Sequence, residues 1–451
     1  MEIVIVGGGK VGSALCLDLA AEKHNIVLID VKPEVVENLI DISDISGIVG
    51  SCTSVDIQLK AGVETCDVYI AVTESDEINI IASIIARKLG AKTTLARVRN
   101  PEYSENFGFV RENLGISMMV NPELETARAI ARSIRFPSSF ITETFANGRV
   151  QMVEVRIEKG SAFDGMQLSN FRKNHGSALV CVVKRGDGVH IPGGSFTLKE
   201  GDLLHVTGLV KDLDDVYKAA GRYTRKIRSV MIIGGSRITR YLLKILEQTR
   251  IAICVIDQDG NKARRLADDF PRVKVIVGDG TDQAVLEEQN IASFDCFVAL
   301  TGIDEENLVT SLYAAHKKVP KIVTKINRKP LLHIFRDQGL QTIITPARLV
   351  SDIITRYIRS LNSALGSKVE AMYRIADGRA EALQFEVLKK SRATGIPLKK
   401  LKLKKGILIA YIIRQNQLIF PTGDDEIHPG DHLIAVTTEC NFDEIDDLLE
   451  R

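Results

Sequence analysis

Tryptophan is absent from this 451-residue chain, and aromatic residues make up only 5% of it. A platform that stacks single-stranded nucleic acid needs such rings, so that class is disfavoured. A charge excess is also missing: 59 Lys and Arg face 58 Asp and Glu, leaving a formal net charge of +1. No strong field therefore points toward nucleic acid or an acidic surface. No apolar run approaches the ~20 residues that span a bilayer, so any membrane role runs through a partner. The first residues lack the basic region, apolar core and cleavage site of a signal peptide. Seven cysteines (Cys16, Cys52, Cys66, Cys181, Cys254, Cys296 and Cys440) are scattered and never in CxxC spacing. They read as reduced, mostly buried thiols of a cytoplasmic protein. The length exceeds what one core supports and suggests two to four domains.

What is present begins at the first residue. Ile3-Val4-Ile5-Val6 runs into Gly7-Gly8-Gly9-Lys10-Val11-Gly12, an apolar strand feeding a glycine-rich turn. Glycines at 7, 9 and 12 have the spacing for a tight turn, a close backbone approach to pyrophosphate, and packing of helix on strand. The helix N-terminus then offers free N–H groups to phosphates. A second apolar run, Ile26 to Ile29, ends at Asp30, whose carboxylate can accept from ribose hydroxyls and would repel a 2′-phosphate. Strand, helix and acidic residue together support nucleotide binding.

The alternation of short strands and helices continues through Ile48-Val49-Gly50, Val68 to Thr73, a helix from Ile78 to Leu89, Thr94 to Val98, and a last strand around Ile116 to Val120. That is the pattern of a parallel sheet covered on both faces. The whole plan recurs about 227 residues later. Val230 to Ile233 feeds Gly234-Gly235-Ser236-Arg237-Ile238-Thr239, and Ile253 to Ile256 ends at Asp257. Thr73 with Asp76, Glu77 and Asn79 is matched by Thr301 with Asp304, Glu305 and Asn307; Arg97 is matched by Lys325. Between these halves lie alternating, strand-rich stretches that also repeat: Ile191-Pro192-Gly193 with Gly201-Asp202, and Phe420 to Gly423 with Gly430-Asp431. Connecting helices are expected over Pro122 to Arg135 and Pro346 to Leu361. The second carries two apolar rows, wider than a surface helix needs, which fits burial within one domain or packing on another subunit.

Together, Gly7-x-Gly9-x-x-Gly12, Asp30, the Thr73 to Asn79 motif, Ala96-Arg97 and the Pro-Gly then Gly-Asp pattern resemble the TrkA-type regulators of potassium uptake. That family is built from tandem RCK modules, each a Rossmann-like nucleotide-binding domain followed by a small TrkA-C domain. The resemblance covers nearly the whole chain and implies an α/β fold: two Rossmann-like, doubly wound parallel sheets, each followed by a small α+β domain. The implied domains are 1–136, 137–221, 222–360 and 361–451. It further implies a cytoplasmic, peripheral, non-enzymatic subunit, a homotetramer, that gates a Trk-type potassium-translocating membrane subunit in response to NAD(H) or ATP/ADP. By the same resemblance the first site comprises Gly7, Gly8, Gly9, Lys10, Val11, Gly12, Asp30, Thr53, Thr73 and Arg97. The second comprises Gly234, Gly235, Ser236, Arg237, Ile238, Asp257, Thr301 and Lys325.

Ser236 and Thr239 replace two glycines of the first loop. A Cβ at Ser236 crowds a pyrophosphate and branched Thr239 holds helix from strand, so the second site should bind a dinucleotide more weakly, bind something else, or be structural. Lys10 and Arg237 each place a cation at a helix N-terminus, against the macrodipole, which suggests a compensating anion or a solvated side chain. Tyr313 and Lys317 have the spacing of a short-chain dehydrogenase pair, but no other acid, base or nucleophile accompanies them. An NAD-dependent oxidoreductase is the competing class. His428 and His432 flank a turn without further ligands, which disfavours a metal site. The basic run Lys399, Lys400, Lys402, Lys404 and Lys405 reads as a solvated edge, or as a contact for anionic headgroups or acidic loops.

Overall fold

The β-rich runs become strands and the stretches between them crossover helices in the computed structural model. It describes residues 1–100, 108, 113–135, 140–145, 149–220, 227–328, 342–364, 369–376, 379–387, 391–415, 417–439, 442 and 444–450. Strands β1 (Glu2–Val6), β2 (Asn25–Asp30), β3 (Ser46–Val49), β4 (Val68–Ala71), β5 (Thr93–Arg97) and β6 (Met118–Val120) form a parallel sheet ordered β3-β2-β1-β4-β5-β6. The crossovers are α1 (Lys10–Ala21), α2 (Pro33–Ile42), α3 (Val55–Lys60) and α4 (Asp76–Leu89). Covered on both faces, β1 and β4 are buried almost throughout, which is why they read as unbroken apolar runs. α4 begins two residues before the expected Ile78, because Ser75 caps it by accepting the Ile78 N–H at 3.2 Å. The strand order reverses between β1 and β4, opening a crevice at the carboxyl edge.

After α5 (Pro122–Arg135) comes an antiparallel sheet of β7 (Phe140–Phe145), β8 (Val150–Arg156), β9 (Leu179–Arg185), β10 (Gly188–His190) and β11 (Leu203–Leu209), with α6 (Leu168–Asn174) and α7 (Val210–Ala219). The second parallel sheet repeats the first as β12 (Ser229–Ile233), β13 (Ala252–Asp257), β14 (Lys274–Val277), β15 (Cys296–Ala299), β16 (Lys321–Lys325) and β17 (Thr342–Ile344), ordered β14-β13-β12-β15-β16-β17. Its helices are α8 (Arg237–Leu246), α9 (Gly260–Asp269), α10 (Gln283–Glu288), α11 (Asp304–His316) and α12 (Pro346–Ala364). A second antiparallel sheet of β18 (Val369–Ile375), β19 (Ala380–Glu386), β20 (Ile407–Arg414), β21 (Gln417–Ile419) and β22 (His432–Thr437) follows. The chain groups by type: one unit holds both parallel sheets, and the other both antiparallel sheets.

Within the first unit the helix that ends each repeat packs on the other repeat of the same chain. On α5, Ala127, Ile130, Ala131 and Ile134 recur at helical spacing and join Val230, Ile232, Leu242, Leu243 and Val255 in one core. Burial of a side chain such as Ile130 contributes about 1.5–3 kcal/mol. On α12, Ser351 donates to Asp18 of α1 at 2.9 Å. Val350 and Ile354, on the wide apolar surface of the same stretch of α12, are buried. Tyr241 of α8 adds a polar tie, accepting from Asn121 at 2.9 Å and donating to the Arg99 carbonyl at 3.2 Å.

In the second unit the two antiparallel sheets share a core that includes Phe145, Met152 and Cys181 with Ile375, Tyr411 and Val436. Each Gly-Asp pair has a structural role. Gly201 (φ +85°) and Gly430 (φ +86°) take the left-handed turn. The buried carboxylates that follow accept bidentate forks, Arg185 on Asp202 at 2.7 and 2.6 Å and Arg414 on Asp431 at 2.8 Å twice. Six of the seven cysteines lie among the described residues as buried free thiols; Cys440 lies outside them. Burial pushes the Cys16 thiol up to about 12. Among the described residues, no helix is long and apolar enough to cross a membrane.

Candidate functional site

The glycine loop closes the carboxyl end of β1. Gly7 takes φ +92°, and a Cβ there would lie 3.0 Å from the Thr73 backbone. Gly12 is more constrained: a Cβ would sit 1.8 Å from the Gly7 carbonyl oxygen. Gly9, the residue before α1, differs, since a Cβ would meet nothing within 4 Å. Glycine at 7 and 12 is thus set by the protein's own backbone, whereas glycine at 9 leaves open space before a helix N-terminus, the cradle a phosphate requires. Asp30 orders the loop by accepting the Gly8 N–H at 2.6 Å and the Lys32 N–H at 2.9 Å. Its remaining lone pairs are available to hydroxyl donors.

The Thr73 to Asn79 motif joins the loops after β4 and β5. Asn79 accepts from the Thr73 N–H at 2.8 Å and hydroxyl at 2.7 Å, and donates to the Thr73 and Arg97 carbonyls. Asp76 accepts the Arg99 and Asn100 N–H groups, each at 2.8 Å. The second repeat copies both devices through Asn307 and Asp304. The Arg97 guanidinium donates to the Thr73 carbonyl at 3.1 Å, and the Lys325 ammonium to the Thr301 carbonyl at 2.5 Å. Burial is the leading influence on each and lowers both pKa values, so both cations gain from an incoming anion.

These groups border a cleft of about 900 Å³, within the range of small-molecule and cofactor sites. Of the predicted first-site residues, Gly7, Gly9, Lys10, Val11, Asp30, Thr73 and Arg97 line it. Gly8, Gly12 and Thr53 do not. Gly8 and Gly12 shape the loop from behind, and the Thr53 hydroxyl pairs with Ser51 at 2.9 Å beside the lining residue Cys52. From the second repeat come Ile238, Lys325, Asn327, Pro346 and Ala347. Ile238 and Lys325, expected at the second loop, thus border the same cleft as the first.

Glu123, absent from the predicted site, also lines the cleft. It is the second residue of α5, and its Oε2 is sealed from solvent without a hydrogen-bond partner. Burial raises its pKa above the usual glutamate value, against the pull of Arg97, Arg99 and Arg237. The second repeat has Ala347 there, a difference visible in the sequence. A carboxyl whose folded-state pKa is raised costs stability above that pKa, and the cost vanishes below the unfolded-chain value, where both states hold the proton. Glu123→Gln is therefore expected to raise the thermal midpoint by about 2–4 °C at about pH 8 and hardly at all at about pH 4. Equal shifts at both pH values in a thermal melt would exclude carboxylate burial as the cause.

The second loop is built differently. Gly234 keeps φ +99°, and Asp257 accepts the Gly235 N–H at 2.5 Å. Thr239 is buried, with its hydroxyl donated to the Gly234 carbonyl at 2.5 Å, so the counterpart of the Gly7 oxygen is capped by a side chain. Ser236 stands before α8 without capping it and lies 3.4 Å from the Thr239 hydroxyl. Gly234, Gly235, Ser236, Arg237, Asp257 and Thr301 lie outside the lining of the cleft. Tyr313 and Lys317, the dehydrogenase-like pair, both bind the Glu287 carboxylate at 2.5 Å and likewise lie outside it.

A parallel doubly wound sheet with an open helix N-terminus, an acidic residue closing β2 and cations at the carboxyl edge defines a Rossmann-type nucleotide-binding protein, here duplicated and paired with antiparallel domains. The TrkA-N domain family matches residues 3–122 and 230–346, and the TrkA-C domain family residues 152–221 and 382–450. The chain therefore belongs to the TrkA family, with its two domain types in tandem. It is 28% identical over 451 residues to the Trk system potassium uptake protein TrkA homolog of Archaeoglobus fulgidus, covering 100% of this chain and 99% of that one. It is 30% identical over 454 residues to TrkA homolog 1 of Methanosarcina mazei, covering 99% of each. Its fold is similar to the GsuK RCK domain, with TM-score 0.63 and 18% identity over 96% of this chain and 92% of that one. The GsuK channel bound to NAD gives TM-score 0.63 and 19% identity, over 97% and 76%.

Proposed function

We propose that the protein is the cytoplasmic, nucleotide-sensing regulatory subunit of a Trk-type potassium uptake system, bound peripherally to a potassium-translocating membrane subunit. The observation that carries this reading is the cleft bordered by both repeats: a nucleotide held there by Gly9, Lys10, Asp30 and Arg97 also faces Lys325 and Asn327 of the second repeat. Such a ligand favours one arrangement of the repeats over another to the extent that its affinity for the two differs. NAD(H) and ATP/ADP share the ribose and phosphates these residues suit, and relatives of the same fold are described bound to NAD and to ADP. The cofactor would be held and read, with no bond made or broken.

Self-association into a homotetramer belongs to the same reading. Equivalent helices of the two repeats leave aliphatic side chains uncovered, Ile78 and Ile81 on α4 and Val309 on α11. The first turns of both are acidic and the last turn of α4 is basic, so antiparallel pairing of α4 between copies brings opposite charges together.

Asp30→Asn and Arg97→Ala each remove a charge-assisted contact worth about 1.5–3 kcal/mol. Each is expected to weaken ADP or NAD binding by about 10–100-fold and to remove nucleotide-dependent potassium uptake, with the fold retained. Calorimetry on the purified variants, with uptake measured in cells lacking their own regulator, checks this. Nucleotide-dependent uptake persisting in both variants would overturn the assignment.

A further inference from the structure

The two repeats share a fold but differ in what lies beneath the loop after the third strand. In the first, the Gln58 side chain on α3 is fully buried, and its Nε2 donates to the Cys52 carbonyl at 2.6 Å, the Ala82 carbonyl of α4 at 3.1 Å and the Tyr69 hydroxyl at 3.2 Å. Turned over, the amide would set its oxygen against two carbonyl oxygens, so these contacts fix its orientation. Its Oε1 is thereby sealed from solvent without a hydrogen-bond partner. A buried polar group left unpaired costs stability, whereas an apolar set of similar shape is neutral or stabilising. The second repeat carries such a set. Leu286, Phe297 and Gly280 stand where Gln58, Tyr69 and Cys52 stand in the first, and Leu286 and Phe297 are buried in its core. A Cβ at Gly280 would lie 2.2 Å from the Ile233 side chain, so Ile233 fills the space a side chain there would need.

The fold therefore does not call for Gln58, but the cleft does. Gly50 and Cys52 line it, and Gly50 donates to the Asp30 carbonyl at 2.9 Å. The strand order β3-β2-β1 sets phosphates at the start of α1, ribose at Asp30 and the base beside the loop after β3. Through the Cys52 and Ala82 carbonyls, Gln58 ties that loop to α4, the helix whose Asn79 holds Thr73 and the Arg97 carbonyl on the other side of β1. Resting on the nucleotide-binding function proposed above, we propose that Gln58, backed by Tyr69, is a positioning residue for the nucleoside end of the ligand. It holds the loop of residues 50–54 as the wall against which ribose and base are seated.

The double variant Gln58→Leu, Tyr69→Phe tests it, because both side chains already sit buried at the matching positions of the second repeat. Thermal melts without ligand, titration calorimetry with ADP, and hydrogen exchange at saturating ADP are read on the full-length protein. The expected result is a melting midpoint unchanged or raised, with ADP affinity about tenfold weaker. Exchange in the ADP complex should rise over residues 50–54 and stay at the wild-type level over residues 7–12, where the phosphates protect the loop. Wild-type ADP affinity in the variant would overturn this inference while leaving the nucleotide reading intact. Exchange rising equally over residues 7–12 would overturn it by showing that the pair supports the whole site and not one wall. Wild-type protein that binds neither ADP nor NAD would overturn the nucleotide reading itself, and this inference with it.

Discussion

Threonine at position 12 is expected to abolish nucleotide binding at the first loop, a loss of more than ~100-fold, while the fold survives. The Cβ of any residue there would sit 1.8 Å from the Gly7 carbonyl oxygen, a backbone atom that cannot rotate away. Relief requires moving the first turn of α1 off β1, and that turn carries the N–H groups aimed at the phosphates. The second repeat shows that the fold accepts the change. Thr239 occupies this position, is buried, and donates to the Gly234 carbonyl. Gly12→Thr thus gives the first loop the geometry of the second. Titration calorimetry with ADP and with NAD, alongside circular dichroism, reads the outcome. Thr239→Gly serves as control and should leave first-loop affinity unchanged. Wild-type affinity in Gly12→Thr would show that phosphates are not held at the start of α1.

The parts of this site that are local in sequence could be read from it. Gly7 to Gly12 and Asp30 are tied by chain connectivity and by one parallel register, Val6 beside Ile29, so their spacing encodes their geometry. The duplication makes the same plan legible twice, and the departures at Ser236 and Thr239 show in the sequence alone. Asp76 and Asn79 were visible as a motif, but their task, joining two loops through backbone groups, shows only once β4 and β5 are neighbours. Glu123 was harder still. The substitution of Glu123 by Ala347 between repeats was a signal, yet its meaning depends on Arg97, Arg99 and Arg237, which meet it through tertiary packing. The same applies to Lys325: aligning it with Arg97 suggested a separate second site, whereas the fold sets it at the cleft that Arg97 borders.

Ile130→Asp is expected to destabilise mainly the repeat that does not carry it. Ile130 lies on α5, in the sequence of the first repeat, but it is fully buried in a core with Val230, Ile232, Leu243 and Val255 of the second. A carboxylate there replaces a methyl-bearing chain in an aliphatic core, and a buried charge without compensation costs several kcal/mol. Against total stabilities of about 5–15 kcal/mol, that is enough to unfold the second sheet or leave it barely formed. The first sheet keeps the core of Val4, Val6, Ile29, Tyr69 and Ala82, none of which touches α5 in that cluster. Hydrogen exchange should therefore rise most in peptides spanning β12 and β13, and less in those spanning β1 and β2. Exchange rising first in β1 and β2 would mean that α5 serves its own repeat and that the helices are not exchanged. The exchange joins cleft and core in one element: Pro122 and Glu123 in the first turn of α5 border the cleft, and Ile130, Ala131 and Ile134 of the same helix lie in the core of the other repeat.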